Sequence, residues 1–462
     1  MKTYQDFLRY GNDIPGFIRM AIRDHETSTE FKLAKDAEEY FRHRNPSIMR
    51  AQKMVYNMLG KAVPDVYSAN NKIPSNFFAR FVTHEVQFLL GNGVTFKGED
   101  TKDKLGGDDF DYAIQIATTR AINAGRSFVF YNNGRCEVFP LYGADEPSFV
   151  PIPDEETGVL KVGIRYWQLA PGKPLRATLY EEDGYTEYVE NSEKQLVVKI
   201  EKRPYKQIIR RSALGTEVEN GGNYNCLPII PLYNISHQSE LVGNRETIDA
   251  YDLMASALIN NVDEGNLIYW VLKNCGGMTD ADDAKFIEQL KITHVVHAQG
   301  DDGADVDAHA VEAPFEANEA ALQRLEKQLY TDFMALNTES LASGAVTATQ
   351  IKAAYEPLNS KADLLEYEVT KAIKQILKIA GIEDTPTYER SYLVNQNEEI
   401  QTLLSCADVL PQEYIAGKII TILGDIDHKD EILDLKVREE HDLTEPEESE
   451  EEETEEEPGG DE

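Results

Sequence analysis

The chain has 462 residues, 41% hydrophobic and 28% charged, which is enough for about three domain-sized units with buried cores. Its four cysteines lie far apart in no paired spacing, which argues against a disulfide framework and a four-cysteine zinc site and indicates a reducing compartment. Lys and Arg total 46 against 82 Asp and Glu, a formal net charge of −36, so the surface should on average repel nucleic acid.

The first ninety residues predict mostly helices, and their start lacks the apolar core of a signal peptide. Apolar residues three and four apart predict helices at Asp36–Arg44 and Ser47–Leu59. Residues 70–96 predict a longer helix that ends at Gly91-Asn92-Gly93, and Asp109–Asn123 predicts another. The longer helix has an apolar face of Phe78, Phe81, Val82, Val86, Phe88 and Leu89. No stretch approaches the roughly 18 apolar residues of a membrane span, so we expect a soluble intracellular protein.

From Gly125 the hydrophobic period changes to two, which predicts an antiparallel meander. Strands at Arg126–Tyr131 and Cys136–Leu141 flank Asn133-Gly134, a strong signal for a hairpin turn. Further strands are predicted at Lys161–Gln168, Leu175–Tyr180, Tyr185–Glu190, Gln195–Ile200 and Lys206–Arg210. The pattern does not alternate strands with helices, so it does not support a parallel nucleotide-binding sheet.

Two long amphipathic helices, Leu241–Glu264 and Pro314–Asn337, are predicted on either side of a compact insert. Their apolar stripes are Ile248, Tyr251, Ala255, Leu258 and Val262 in the first, and Leu322, Leu325, Leu329, Phe333 and Leu336 in the second. The insert predicts strands at Leu267–Leu272 and Thr293–Ala298, a helix at Thr279–Leu290 and a turn at Gly300–Gly303. Such helices do not easily bury both faces within one subunit, so neighbouring copies are expected beside them.

The remaining chain predicts a loop, a third long helix and a short closing region. Small residues from Glu339 to Ala348 predict the loop, and a helix from Ala348 to Ala380 should kink near Pro357, which removes a backbone donor. The closing elements are a strand at Thr385–Val394 and helices at Asn397–Asp408 and Pro411–Leu423. The last 18 residues contain 12 acidic residues and no basic one, which predicts disorder.

Sequence motifs of catalytic and metal sites are absent: neither a phosphate-binding G-x-x-x-x-G-K-[ST] loop, nor H-E-x-x-H, nor G-x-S-x-G occurs. His294 and His297 would face opposite sides of a strand. The aspartates at 280, 282 and 283 fit helix capping, and those at 301, 302, 305 and 307 fit a solvated turn without the EF-hand order. We therefore predict no catalytic residue, no metal site, no cofactor and no enzyme, with a metal-dependent hydrolase built on these turns as the enzymatic alternative.

Four segments in a fixed order carry a resemblance to a known family. They are NNKIPSNFFARFVTHEVQFLLGNGVTF, then LPIIPLYN with ELVGNRETIDAYDLMASALINNVDE, then IYWVLKNCGG through HVVHAQGDDGADVDAHAVEAP, and last LNTESLASGAVTATQIKAAYEPLNSKADLLEYEV. Together they resemble the portal proteins of tailed bacteriophages, in particular the SPP1-type portal family. The resemblance covers roughly residues 40–430, and its specificity comes from the order of the four segments, since no single one is diagnostic.

The resemblance implies an α+β portal fold, with a helical and β wing, a two-helix stem, a small α/β clip, a long kinked helix and a helical crown, assembled as a ring. The implied segments are the wing (1–235), the first stem helix (236–266), the clip (267–313), the second stem helix (314–338), the tunnel loop (339–347), the long kinked helix with a return wing strand (348–396), the crown (397–442) and a disordered acidic tail (443–462).

The implied function is a ring, usually a dodecamer, at one capsid vertex, through which double-stranded DNA is packaged and ejected without sequence specificity. Its implied partners are the terminase large subunit, the major capsid and scaffolding proteins and a head-completion adaptor, with no membrane. The implied location is the virion, and the host cytoplasm during assembly. The alternative is a capsid-associated scaffold or adaptor protein without a DNA channel.

Residue roles follow from the same resemblance. The tunnel loop would comprise Glu339, Ser340, Leu341, Ala342, Ser343, Gly344, Ala345, Val346 and Thr347, a lining with one charge that avoids strong phosphate pairing. Arg245, Arg324 and Lys327 are candidates to line the channel, and inter-helix salt bridges are their alternative role. The clip residues that would bind partners are Asp282, Asp283, Asp301 and Asp302, and Pro357 would mark the helix kink.

Overall fold

The structure is a computed structural model that describes residues 2–56, 61–66, 68–212, 215–263, 267–273, 285, 305–311, 315–338, 348–391, 396–406 and 411–423. The chain divides into two compact units. The first comprises residues 1–340 and 354–391, and the second comprises residues 341–353 and 392–462. The described part of the chain contains both helices and antiparallel sheets, as expected for an α+β fold.

The N-terminal helices begin at capping residues that the sequence supplies. Asp13 accepts a hydrogen bond from the Gly16 N–H at the start of α2, and Ser28 accepts from the Phe31 N–H at the start of α3. The bounds are α1 Tyr4–Arg9, α2 Ile14–Thr27, α3 Thr29–Phe41, α4 Pro46–Arg50 and α5 Phe77–Leu90. The predicted apolar face of α5 is buried, and the helix ends at Gly91 as expected.

The helix predicted at Ser47–Leu59 is wrong beyond Arg50. Ala51 has an extended backbone, and β1 Met54–Tyr56 pairs with β2 Ala62–Pro64, with Val55 opposite Val63. The apolar spacing that suggested one helix is therefore divided between the short helix α4 and the strand β1. The partner strand, β2, lies outside the predicted segment.

The β region forms two main antiparallel sheets. Strands β3 to β5 are Val94–Thr95, Arg126–Asn132 and Arg135–Pro140; β6 to β8 are Ser148–Pro153, Leu160–Trp167 and Arg176–Glu181; β9 to β11 are Gly184–Glu190, Leu196–Arg203 and Lys206–Ser212; β12 and β13 are Gly215–Gly222 and Ile229–Tyr233. Strands β6 to β10 form a five-stranded meander, β13-β4-β5 a second sheet, and β11-β12 a hairpin. The predicted meander is confirmed, and the Asn133-Gly134 turn has positive φ at both residues, as a type I′ hairpin turn requires.

Strand β6, with the sequence SFVPIP, was not predicted. Its two prolines argue against a central strand, but β6 lies at the edge of the five-stranded sheet. Edge strands tolerate proline because they have N–H groups that point away from the neighbouring strand.

The remaining elements supply the long helices. Their bounds are α6 Thr101–Leu105, α7 Asp108–Ala124, α8 Arg245–Asp263, β14 Leu267–Lys273, β15 Asp305–Val311, α9 Phe315–Asp332, α10 Ala348–Ala380, β16 Thr387–Tyr388, α11 Gln396–Ser405 and α12 Gln412–Leu423. In the second unit, α11 and α12 pack against each other.

Four predicted boundaries need correction. The second long helix, α9, ends at Asp332 rather than at Asn337. The predicted turn that included Asp305 and Asp307 is wrong at these two residues, since both lie in β15, which pairs along its whole length with β14. Of the strand predicted at Thr385–Val394, only β16 is a strand in the described residues. Its partner, β3, is only two residues long, so the pairing does not extend further. The first long helix begins at Arg245 rather than Leu241, after a turn with Gly243 at φ +85°.

The largest core cluster lies where α5, α7, α10 and the end of α9 meet. It contains Phe78, Phe81, Leu89, Ile122, Leu329, Phe333, Leu365 and Ile373, all with little or no exposed surface. Helix α9 ends at Asp332, and Met334 takes a positive φ of 52°, so the chain turns while Phe333 and Leu336 remain buried. This cluster sets the positions of the polar groups described next.

Candidate functional site at the junction of the long helices

Helix α8 is held by an extended segment, residues 71–75, which we call the strap. Three backbone N–H groups of the strap donate to side chains four residues apart on α8: Asn71 to Asn260 Oδ1 at 2.7 Å, Ile73 to Ser256 Oγ at 3.0 Å, and Ser75 to Asp252 Oδ1 at 2.8 Å. Two extended residues advance about 6.6 Å and four helical residues about 6.0 Å, so the repeats of strap and helix nearly match. The row of polar side chains therefore fixes α8 along the strap.

A second set of polar contacts joins α8 to the N-terminal helices. Asp249 accepts hydrogen bonds from the hydroxyl groups of Tyr40 and Ser47. Burial and the hydrogen bond to Asp249 raise the pKa of Tyr40 to about 12, so its hydroxyl remains a donor at neutral pH. Arg245 pairs with Asp36 at 2.9 Å and lies over the Tyr40 ring. These contacts fix the first turns of α8 against α3 and α4.

The predicted apolar stripe describes one side of α8 only in part. Ile248 is fully buried and Tyr251 packs edge-to-face on Phe77, but Val262 is 60% exposed. The buried polar row beside that stripe was missed. Its signal in the sequence is the repeat of short polar side chains at 252, 256 and 260 within an otherwise apolar helix.

Replacing Asp252 by alanine should lower the free energy of unfolding by about 2–4 kcal/mol, because the Ser75 N–H and the Asn45 amide both lose the carboxylate that accepts from them. Urea unfolding followed by circular dichroism would measure the change. Glu246→Ala on the same helix is the control, since Glu246 is exposed and should have little effect. Equal losses in the two variants would show that the polar row contributes nothing specific.

A buried ionic cluster joins four segments at the base of the long helices. Lys361 on α10 places its Nζ 2.6 Å from Glu85 Oε2 on α5 and 2.7 Å from Glu240 Oε2 before α8. The same Nζ donates to the carbonyl oxygen of Phe333, just after α9, at 3.2 Å. We call Lys361, Glu85, Glu240 and the Phe333 carbonyl the Lys361 clamp.

The clamp contains two carboxyl groups and one ammonium group away from water. Burial, and then the nearby Glu240 carboxylate, raise the pKa of Glu85 to about 8, although Lys361 opposes this shift. Burial alone would lower the pKa of Lys361, but the two glutamates outweigh it and raise that pKa. At neutral pH the clamp therefore holds a charged Lys361 beside a protonated Glu85.

The described residues include part of the predicted site. The tunnel-loop residues Glu339–Thr347 and the clip residues Asp282, Asp283, Asp301 and Asp302 lie outside them. Arg324 and Lys327 are exposed on α9 and form no ion pair with any described residue, and their role in lining the channel stays a prediction. Arg245 is instead paired with Asp36, which favours its alternative role in a salt bridge.

Helix α10 runs without interruption through Pro357, so the kink expected there stays a prediction. In the parts of the chain that the structure describes, no group of three or more His, Cys, Asp or Glu side chains is placed to hold a metal ion. None of the described helices is long and apolar enough to cross a membrane.

Comparison with known proteins identifies the family. The profile described as "Phage portal protein, SPP1 Gp6-like" matches residues 23–457. The portal protein of Clostridium phage phiCD119 is 24% identical over 415 residues, covering 80% of this chain and 88% of that protein. The portal protein of Bacillus phage SPP1 is 23% identical over 386 residues, covering 77% of this chain and 74% of that protein.

Two solved structures are similar to the chain at low sequence identity. The neck of a native gene transfer agent particle computed with C12 symmetry has a TM-score of 0.37 at 10% identity, covering 74% of this chain and 89% of the other. A chain from the virion of a native gene transfer agent particle has a TM-score of 0.38 at 10% identity, covering 83% and 98% of the two chains. Since both TM-scores are low, the identification rests on the family profile and the sequence relatives.

The chain belongs to the SPP1 Gp6-like family of phage portal proteins, because the family profile spans nearly all of it. It is thus a structural component of a bacteriophage virion, at the connection between capsid and tail, and not an enzyme. The resemblance seen in the four sequence segments is confirmed.

Proposed function

We propose that copies of this chain close into a ring at one vertex of the capsid, and that double-stranded DNA enters and leaves through its central channel. The observation that carries the proposal is the family match, which spans α8, the clip region, α9 and α10 in one alignment. In this arrangement the terminase and the head-completion adaptor dock on the clip, residues 267–313, and the capsid and scaffolding proteins contact the wing.

The exposed faces of the long helices support lateral contacts between copies. Leu253 and Val262 on α8 are 59% and 60% exposed, and Leu364 and Tyr367 on α10 are 60% and 69% exposed. Leu364 and Tyr367 lie three residues apart on one face of α10, and neighbouring exposed apolar side chains of this kind are typical of surfaces that bind another protein. A ring of identical copies would cover these side chains. The resemblance implies that the ring usually has twelve subunits.

The charge pattern supports passage of DNA without tight binding. Glu339 is the only charged residue of the segment 339–347, and the whole chain carries a formal net charge of −36. A tight DNA-binding surface gains affinity by neutralising many phosphates, whereas a channel must let the duplex slide. Arg324 and Lys327 would supply the few positive charges that face the DNA.

Electron microscopy of the purified protein tests the ring directly. The expected particle is an annulus with a mass many times 52.1 kDa and a central hole wide enough for a duplex. A capsid-associated scaffold or adaptor would instead give a particle without such a hole. A stable monomer at high concentration would contradict both the ring and the lateral contacts.

Removing residues 340–346 should leave the ring intact and impair DNA packaging or retention, because the segment would form the narrowest part of the channel. In vitro packaging, measured as nuclease-protected DNA per capsid, provides the measurement. A glycine–serine segment of the same length is the control that separates loss of the loop from a change in chain length. Failure of ring assembly in the deletion would show that the segment belongs to the structural core.

A further inference from the structure

A guanidinium group surrounded by aromatic rings lies where α5 meets α9. The Cζ atom of Arg80 is 5.2 Å from the centre of the Phe77 ring, 5.4 Å from that of Phe81 and 5.2 Å from that of Tyr330. Its Nη2 donates a hydrogen bond to the Tyr330 hydroxyl. Phe77 and Phe81 are buried in the main core, and the Tyr330 ring packs edge-to-face on Phe81. The side chain of Arg80 is therefore held in place although the residue is exposed.

The rings hold Arg80 without neutralising its charge. Aromatic rings contact the faces of a guanidinium group, whereas its N–H donors point outward in its plane. In the described part of the chain, Arg80 forms no ion pair with a carboxylate, and its one hydrogen-bonding partner is the neutral hydroxyl of Tyr330. Donors of Arg80 thus remain available to an anionic ligand.

The neighbouring surface of α9 extends this positive charge. Lys327 precedes Tyr330 by three residues, and Arg324 precedes Lys327 by three, so consecutive members of this series are neighbours on the helix surface. Between Glu319 and Asp332, the exposed positions of α9 carry these two cations and no acidic residue. The chain as a whole has 82 acidic residues against 46 basic ones, so this surface has the opposite balance. We call Arg80, Lys327 and Arg324 the cationic row.

The composition around the row favours nucleic acid over protein as its ligand. A protein interface normally has large apolar or aromatic anchors at its centre, and the exposed positions of this stretch of α9 offer none. A surface that binds the backbone of nucleic acid instead combines basic side chains with neutral polar ones. Since Phe77 and Phe81 are buried, they offer no platform on which unpaired bases could stack, which favours a duplex over a single strand. The other exposed positions of this stretch are Ala320, Gln323, Gln328 and Thr331.

We propose that Arg80 contacts the phosphates of double-stranded DNA, together with Lys327 and Arg324. The inference rests on the proposed function in that DNA passes along α9, and it adds a residue of α5, which lies in the segment predicted as the wing. Because the rings hold the guanidinium before DNA arrives, little side-chain entropy is lost on contact. Contacts to phosphates carry no base preference, as passage of a genome of any sequence requires.

Binding of a short DNA duplex to the full-length assembled protein, followed by fluorescence anisotropy at several salt concentrations, tests the proposal. Arg80→Gln should lower the affinity about fivefold or more and make it depend less steeply on salt, because each copy loses a phosphate contact. Arg80→Lys should lose less affinity than Arg80→Gln, because an ammonium group still pairs with phosphate.

Arg23→Gln, at an exposed position of α2, is the matched control and should leave the affinity nearly unchanged. An equal loss in Arg23→Gln would mean that only the total charge matters, and would overturn the proposal. Unchanged affinity in a folded Arg80→Gln protein would also overturn it, as would a parent protein that does not bind the duplex at low salt.

Photocrosslinking keeps the test decisive if Arg80→Gln does not fold. A duplex that carries a photoreactive group on one phosphate is bound to the parent protein, and the crosslinked peptides are identified by mass spectrometry. We expect crosslinks to α5 near Arg80 and to α9 between Arg324 and Tyr330. Crosslinks confined to other segments would refute the contact.

The outcomes separate this inference from the proposed function. An Arg80→Gln protein that folds but no longer forms a ring would show that Arg80 meets a carboxylate of a second copy, and would overturn the inference. A parent ring without crosslinks near Arg80 would leave the proposed channel standing and remove the inference. Crosslinks near Arg80 in a particle without a central hole would support the phosphate contact and contradict the channel.

Discussion

Phe333→Ala should lower the free energy of unfolding by about 3–5 kcal/mol, among the largest effects expected of a single substitution here. The ring is 2% exposed and lies between Phe78 and Phe81 in the main core, at the point where α9 ends. Its removal leaves a cavity among side chains from α5, α9 and α10, which are fixed by other contacts and cannot easily collapse into the space.

Chemical unfolding of the first unit, followed by far-ultraviolet circular dichroism, measures this loss. Phe315→Ala is the matched control, because Phe315 lies at the other end of α9 and is 39% exposed. It should lower the free energy of unfolding by well under half as much as Phe333→Ala. Similar losses in the two variants would mean that the end of α9 is not held by the core.

Glu85→Gln should make the protein more stable than the parent at alkaline pH. Glu85 has a pKa of about 8 in the folded protein and an ordinary value of 4.5 when unfolded, so the folded state binds the extra proton between these values. The unfolding free energy of the parent should therefore fall as pH rises from about 4.5 to 8, by up to about 1.4 kcal/mol per pH unit from this group, and level off above 8.

Glutamine has the shape of the protonated carboxyl group and does not titrate, so the advantage of the variant should increase through the same range. The difference between the two unfolding curves, measured at several pH values, removes the contributions of all groups that titrate alike in both proteins. Glu246→Gln, at an exposed position of α8, is the control for the loss of one carboxylate from the surface. A difference that does not vary with pH would mean that Glu85 is ionised in the folded protein at neutral pH.

Local signals in the sequence were sufficient for elements whose partners are close in the chain or whose pattern is strong. The apolar face of α5 and its glycine end, and the Asn133-Gly134 hairpin, are both found where the residues predict them. Each depends on side-chain period or backbone freedom within about twenty residues. The ordered segments that identified the portal family are likewise contiguous stretches of the sequence.

Elements that depend on distant partners were missed or misplaced. Asp305 and Asp307 lie in a segment with the composition of a turn. They form a strand because they pair with β14, which lies more than thirty residues earlier in the chain. The segment at Met54–Tyr56 has apolar spacing that fits a helix, and only its pairing with Ala62–Pro64 decides otherwise. Secondary structure here follows the available hydrogen-bonding partner rather than local propensity.

The candidate site shows the same limit more strongly. Lys361, Glu85 and Glu240 are ordinary charged residues in the sequence, where lysine and glutamate on helices normally indicate a solvated face. Their importance arises because three separate segments bring them together beneath α9. Arg245 is the opposite case. Its position on a predicted stem helix suggested that its side chain faces DNA, but in the structure it pairs with Asp36.

The strap also has a consequence for biosynthesis. Its contacts with α8 join residues 177 to 189 positions apart in the chain. At translation rates of about 5–20 residues per second, residues 71–75 are made roughly 10–40 s before Asn260. During that interval α8 does not yet exist, so the strap has no helix to bind and its N–H groups are left to water. Chains whose synthesis stops before Asp252 should accordingly keep an unpaired strap, which would expose them to proteolysis.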